Sequence, residues 1–161
     1  MKFFEDIVIG ERRDGGSHTF TAEEIVAFAR KYDPQPFHLS EEGAARTHFK
    51  HLCASGWHTA AVCMRLMVDA NRQDDEARRA RGEAIARSGP SPGVRDVRWI
   101  KPVYAGDTIT FWSEIKDKRE TARPDYGLVV TQSFGANQNG DLVYSVQGAV
   151  FVEYRNKRAT D

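Results

Sequence analysis

The run from Ser55 to Arg72, Ser-Gly-Trp-His-Thr-Ala-Ala-Val-Cys-Met-Arg-Leu-Met-Val-Asp-Ala-Asn-Arg, narrows the possible folds most, because it is apolar on nearly every side through Val68. Eighteen helical residues make a rod of roughly 27 Å that has almost no polar face to turn toward water. Such a rod is expected to be buried, so the rest of the chain must wrap it. Interruptions at His58, Arg65 and Asp69 argue against a membrane span.

The wrapping is expected from the last 68 residues, where strand-like runs follow one another and no helix-period segment remains. Val94 to Val103 comes first and is ended by Pro102 and the turn Tyr104-Ala105-Gly106-Asp107. In Thr108 to Lys116, Ile109, Phe111 and Ile115 alternate with Thr110, Trp112 and Glu114, which gives one face to a core. Leu128 to Phe134 and Leu142 to Tyr154 flank Gly135 to Asp141, whose Asn-Gly pair is a strong hairpin signal. Tyr144, Val146, Gly148, Val150, Val152 and Tyr154 share a face, and Gly148 is expected beneath a close neighbour such as the helix.

Ahead of the rod, a turn at Asp14-Gly15-Gly16 leads into a short strand over Ser17 to Thr21. Thr21-Ala22-Glu23-Glu24 has capping-box spacing and opens a helix whose stripe is Ile25, Phe28, Ala29 and Tyr32, ended by Pro34. Ser40, followed by Glu41 and Glu42, caps a second short helix that runs out near Thr47. The sum is an α+β layout: one long helix, short helices before it, an antiparallel sheet after it, and no linker or repeat that divides residues 1–161 into more than a single domain.

Between the two short helices lies Asp33-Pro34-Gln35-Pro36-Phe37-His38, a carboxylate and an imidazole five residues apart on backbone that two prolines hold out of helix. It is a candidate acid/base pair on stiff chain. His48, His51, Cys53 and His58 crowd a short stretch, but their spacing fits no zinc template, and surface or core packing is the expected role. Ser55 lacks a nucleophile elbow and is read as an N-cap; Trp57 either lines a pocket or packs.

Composition sets outer limits. Lys plus Arg and Asp plus Glu both total 23, so no net field draws nucleic acid or an anionic membrane. Five arginines between Asn71 and Arg87 stand among Asp74, Asp75, Glu76 and Glu83; an exposed helix or mobile loop dressed with ion pairs is the leading reading, arginines on ligand phosphates the lesser one. Cys53 and Cys63, placed on one helix roughly 15 Å apart, are expected to be free thiols suited to a reducing cytosol. Acidic residues at Glu5 and Asp6 break any signal-peptide run, so a soluble cytoplasmic protein is expected.

Three motifs carry a resemblance: Tyr32-Asp33-Pro34-Gln35-Pro36-Phe37-His38, Ala54-Ser55-Gly56-Trp57-His58-Thr59, and Pro102-Val103-Tyr104-Ala105-Gly106-Asp107-Thr108. The chain resembles the MaoC-like dehydratases, the group that includes (R)-specific enoyl-CoA hydratases. The resemblance implies a hot-dog fold, a curved antiparallel sheet wrapped around a long central helix. It implies Asp33 and His38 as the catalytic pair, the Gly56 amide as oxyanion donor, and Gln35, Phe37, Ser55 and Trp57 around the substrate. The implied activity is reversible hydration of 2-enoyl-CoA thioesters, with coenzyme A as part of the substrate, no metal or other cofactor, and a homodimer or dimer-based oligomer. A hot-dog thioesterase and a non-catalytic acyl-CoA-binding module are the alternatives. The chain departs from the family signature at Gln35, where the signature has Asn, and at Ala61, where some hydratases carry Ser.

Overall fold

The computed structural model describes residues 1–156. After a 3-10 turn at Phe4–Asp6 come β1 (Arg12–Thr19), α1 (Ala22–Tyr32), α2 (Pro36–Leu39), α3 (Glu41–Ala45), α4 (Gly56–Ala80), β2 (Val94–Trp99), β3 (Thr108–Arg119), β4 (Tyr126–Ala136) and β5 (Leu142–Glu153). All strand pairs are antiparallel, in the order β1-β3-β4-β5-β2, so the first strand in sequence forms one edge and the strand following α4 forms the other. Register shifts between Asp14 and Gly16, Ile115 and Asp117, Gly135 and Ala136, and Arg95 and Arg98 introduce bulges, the local device by which a sheet acquires curvature.

The helix starts follow the expected chemistry. Thr21 Oγ1 accepts from the Glu24 amide at 3.2 Å and Ser40 Oγ from the Gly43 amide at 3.0 Å. Five expectations need correction. The Asp14-Gly15-Gly16 segment is no turn but a bulge inside β1; a side chain on Gly15 would overlap the Met67 methyl, so the glycine marks where α4 lies on the sheet. Gly148 has no such neighbour, its closest contact being Thr131 Oγ1 at an ordinary 3.6 Å. Cys53 precedes α4 and pairs with Tyr104 in an isolated bridge, so the two free cysteines do not share a helix. Residues 36–39 form a helical turn with Pro36 at its start, because proline's missing N–H costs nothing at that position.

The fifth correction concerns α4. It runs on through the charged stretch to Ala80, and it is not buried all round. His58, Thr59 and Cys63 face inward, toward a core of Phe20, Ile25, Val103, Ile109, Phe111, Val143 and Tyr144, while Met64 is 61% exposed and Val68 53%. A second cluster, with Phe4, Ile7, Val129, Val152 and Tyr154, forms where the N-terminal turn meets β4 and β5. Arginines of the charged stretch pair locally, Arg78 with Asp74 at 3.0 Å and Glu83 at 2.8 Å, Arg72 with Asp69 at 3.6 Å and Arg81 with Glu83 at 2.6 Å, while Arg87 reaches Glu153 at the end of β5 at 2.7 Å. No described helix is long and apolar enough to cross a membrane.

Candidate active site

The segment Leu52–Ser55 joins three parts of the chain. The Cys53 amide donates to the Phe37 carbonyl at 3.2 Å, tying the segment to α2. On its other side the Ala54 amide donates to the Val103 carbonyl at 2.8 Å and the Ala105 amide to the Leu52 carbonyl at 3.0 Å. The turn after Val103 is set by Asp107, whose Oδ2 accepts from the Tyr104 amide at 2.8 Å. The N-terminus of α4 therefore leaves from a backbone clamp, and short polar motifs far apart in sequence converge there.

Asp33 follows the last residue of α1 in a non-helical conformation (φ −153°, ψ 67°), as a pre-proline residue must. Its Oδ2 accepts from Ser55 Oγ at 2.7 Å and its Oδ1 from Gln35 Nε2 at 2.8 Å. Ser55 also caps α4, its Oγ accepting from the Trp57 amide at 3.3 Å. Burial pushes the Asp33 carboxyl upward, but the donations from Ser55 and Gln35, with an electrostatic contribution from nearby His38, outweigh it, and the net pKa is lowered from 3.8. Gln35, one methylene longer than the signature's Asn, thus still reaches the carboxylate.

His38 is buried, and its Nδ1 lies 2.6 Å from the Cys53 carbonyl oxygen. A carbonyl can only accept, so Nδ1 carries a proton, and Nε2 offers a lone pair whenever the ring holds that one proton alone. Nε2 stands 3.5 Å from Asp33 Oδ2. At that distance the two atoms are joined either by a proton on Nε2 or, where Nε2 is unprotonated, by a water that donates to both. The Cys53 thiol, 3.8 Å from Nδ1, does not compete as a nucleophile, because burial and the Glu41 carboxylate push it up to about 11.

Asp33, Gln35, Ser55, Gly56 and Trp57 share one open cavity of about 700 Å³. His38 lies behind Asp33, outside the cavity wall, and so does Phe37, whose ring packs 4.8 Å from that of Phe49. Part of the remaining wall comes from Phe49, Trp99, Ile100, Val103 and Tyr104, none of which the motifs single out as site residues. Trp99 has no periodic signal in the sequence; it stands at the end of an irregular edge strand, and only the sheet brings it to α4. His58, on the inner face of α4, stacks on Phe28 at 4.6 Å and meets Phe20 edge-on at 5.1 Å, a packing role. Among the described residues no cluster of three His, Cys, Asp or Glu side chains could hold a metal.

In the first turn of α4, the Trp57 amide is taken by Ser55 Oγ, and those of His58 and Thr59 by the Ser55 carbonyl at 2.9 and 3.2 Å. The Gly56 amide is left over at the positive end of the helix, beside the cavity.

A family model described as "MaoC like domain" matches residues 6–135. The chain belongs to this family. A crystal structure of a MaoC-like dehydratase from Rhodospirillum rubrum is 33% identical and superposes over 97% of this chain and 99% of that one with a TM-score of 0.79, so the sheet and helix form the family's hot-dog fold. The MaoC-like chain is also 26% identical over 149 residues to the uncharacterized protein YdeM of Bacillus subtilis, spanning 92% of this chain and 97% of the other. A mesaconyl-CoA hydratase of Cereibacter sphaeroides is 34% identical over 76 residues, 47% of this chain and 21% of that protein.

Proposed function

We propose that this MaoC-like protein is a hydro-lyase that reversibly adds water across the double bond of a 2-enoyl thioester of coenzyme A. The observation that carries this reading is the approach of Asp33 Oδ2 and His38 Nε2 to 3.5 Å, with Asp33 on the wall of a cavity that Gly56 also lines. A water donating to both acceptors is held with its oxygen lone pairs free. In the forward step that oxygen bonds to the β-carbon, the double-bond electrons move toward the thioester oxygen, and the Gly56 N–H and helix dipole hold the enolate charge. The proton lost by water passes to the Asp33–His38 pair, which returns a proton to the α-carbon as the enolate collapses to the carbonyl. This chemistry calls on no metal or redox group. Support also comes from the family and from the partial likeness to a hydratase of a CoA thioester. Within the same reading, a second copy of the chain covers the exposed apolar flank of α4, giving a homodimer in the cytoplasm.

Incubation with crotonyl-CoA, following enone absorbance and free thiol together, tests the proposal. Enone loss without thiol release is expected. Thiol release would mean hydrolysis at the thioester carbon, and binding without either signal would mean an acyl-CoA-binding module. Asp33→Asn is expected to lower kcat by about 10² or more, the usual contribution of a general acid–base group. Activity within about tenfold of wild type would remove Asp33 from the base role.

A further inference from the structure

Trp99 meets α4 at the one residue there without a side chain. A Cβ on Gly56 would overlap Cδ1, Nε1 and Cε2 of the Trp99 indole alike, so the Gly56 Cα sits over the face of the five-membered ring. Adding backbone bond lengths to that overlap keeps the Gly56 nitrogen within about 5 Å of Trp99 Nε1, close enough for two N–H groups to reach one oxygen.

The placement of the indole is over-determined. Trp99 ends β2, where it pairs with Tyr144 and the next amide, Ile100, donates to the Val143 carbonyl at 2.8 Å. Just upstream, the bulge between Arg95 and Arg98 and the left-handed Asp96 (φ 52°) bend the edge strand, and bulges of this kind re-aim the side chains that follow. The Trp57 ring braces Trp99 edge-to-face at 5.2 Å and 75°. No acceptor among the described residues takes the Trp99 N–H, and the ring lines the same cavity as Asp33 and Gly56 while remaining 47% exposed. An indole nitrogen only donates. A braced donor beside the leftover helix amide is what an oxygen gathering negative charge requires.

We propose that Trp99 is a catalytic residue, its Nε1–H acting with the Gly56 N–H as the second donor to the thioester oxygen of the substrate. The inference rests on the hydro-lyase reading above. It assigns to Trp99 a stabilisation realised mainly when the oxygen becomes an enolate, so its loss falls on kcat more than on KM.

Trp99→Phe keeps a ring over Gly56 and removes the N–H. Two readouts on the full-length protein decide the matter. With crotonyl-CoA, kcat is expected to fall about 10–10³-fold while KM changes by less than about threefold. With acetoacetyl-CoA, an enolisable ligand that is not hydrated, wild type is expected to show the ultraviolet band of the bound enolate and Trp99→Phe to lose it while still binding the thioester. Retention of both kcat and the enolate band in Trp99→Phe would overturn the donor role and leave the hydro-lyase reading intact. A wild type that hydrates no enoyl thioester would overturn both. If Trp99→Phe does not fold, Trp99→Leu, which also lacks the N–H, is read by the same two measurements.

Discussion

Asp33 receives donors from two elements, Gln35 two residues on and Ser55 at the head of α4. Each holds the carboxylate ionised. Removing the Ser55 hydroxyl in Ser55→Ala takes away one of them, and the Asp33 pKa is expected to move upward from its lowered value; a carbon-13 NMR titration of the Asp33 carboxyl measures it. A folded pKa below 3.8 makes the Asp33 contribution complete above that pH and lost as pH falls through the folded value, so Ser55→Ala narrows that contribution. The same substitution uncaps α4 and is expected to cost about 1 kcal/mol in a urea melt at pH 7. The Asp33–His38 spacing and the Ser55 cap were legible in the sequence, because both are local chemistry. The Cys53 carbonyl that fixes the His38 tautomer was not: a backbone acceptor has no residue-type signature.

At the level of elements, α1 and α4 are joined through an aromatic sandwich in which His58 stacks on Phe28 and meets Phe20. Nδ1 of His58 is buried without a partner among the described residues. Burial lowers the His58 pKa from 6.5, with the Glu24 carboxylate opposing and His18, itself 2.6 Å from Glu24, adding to the depression. The unfolded chain therefore binds more protons than the native one between the lowered value and pH 6.5. Stability from this site is complete above pH 6.5 and declines as pH drops through that window. Thermal melts at pH 7.5 and 5.5 are expected to show a drop in Tm that shrinks in His58→Phe, which keeps the ring and cannot titrate. Helix periodicity placed His58 in the rod, but its aromatic neighbours come from the residue just past β1 and from α1 and appear only on folding.

For the molecule as a whole, the apolar rod is covered on one side by the sheet and left open on the other, where Trp57 is 59%, Met64 61% and Val68 53% exposed. The sheet also ends in open edges at β1 and β2. If a second copy covers the flank, Met64→Glu combined with Val68→Glu places two buried charges in the interface and is expected to convert dimer to monomer in light scattering after gel filtration, with circular dichroism unchanged. A wild-type monomer in the same measurement would remove the proposed pairing.

Hydrophobic pattern, capping residues and turn chemistry were enough to specify the α+β order, the strands from β3 to β5 and the start of α4, because these signals act over a few residues or are repeated along an element; that Asp33, Ser55 and Gly56 belong to one site came only from the family resemblance. The side of α4 that the sheet covers, the role of Gly15 under Met67 and the placing of Trp99 against Gly56 depend on contacts between residues tens of positions apart. An amphipathic count cannot tell a helix wrapped by its own chain from one shared with a neighbour, since both bury the same apolar stripe. Nor can it see an edge-strand bulge re-aiming an indole, since that direction is set by sheet pairing and not by the residue's type.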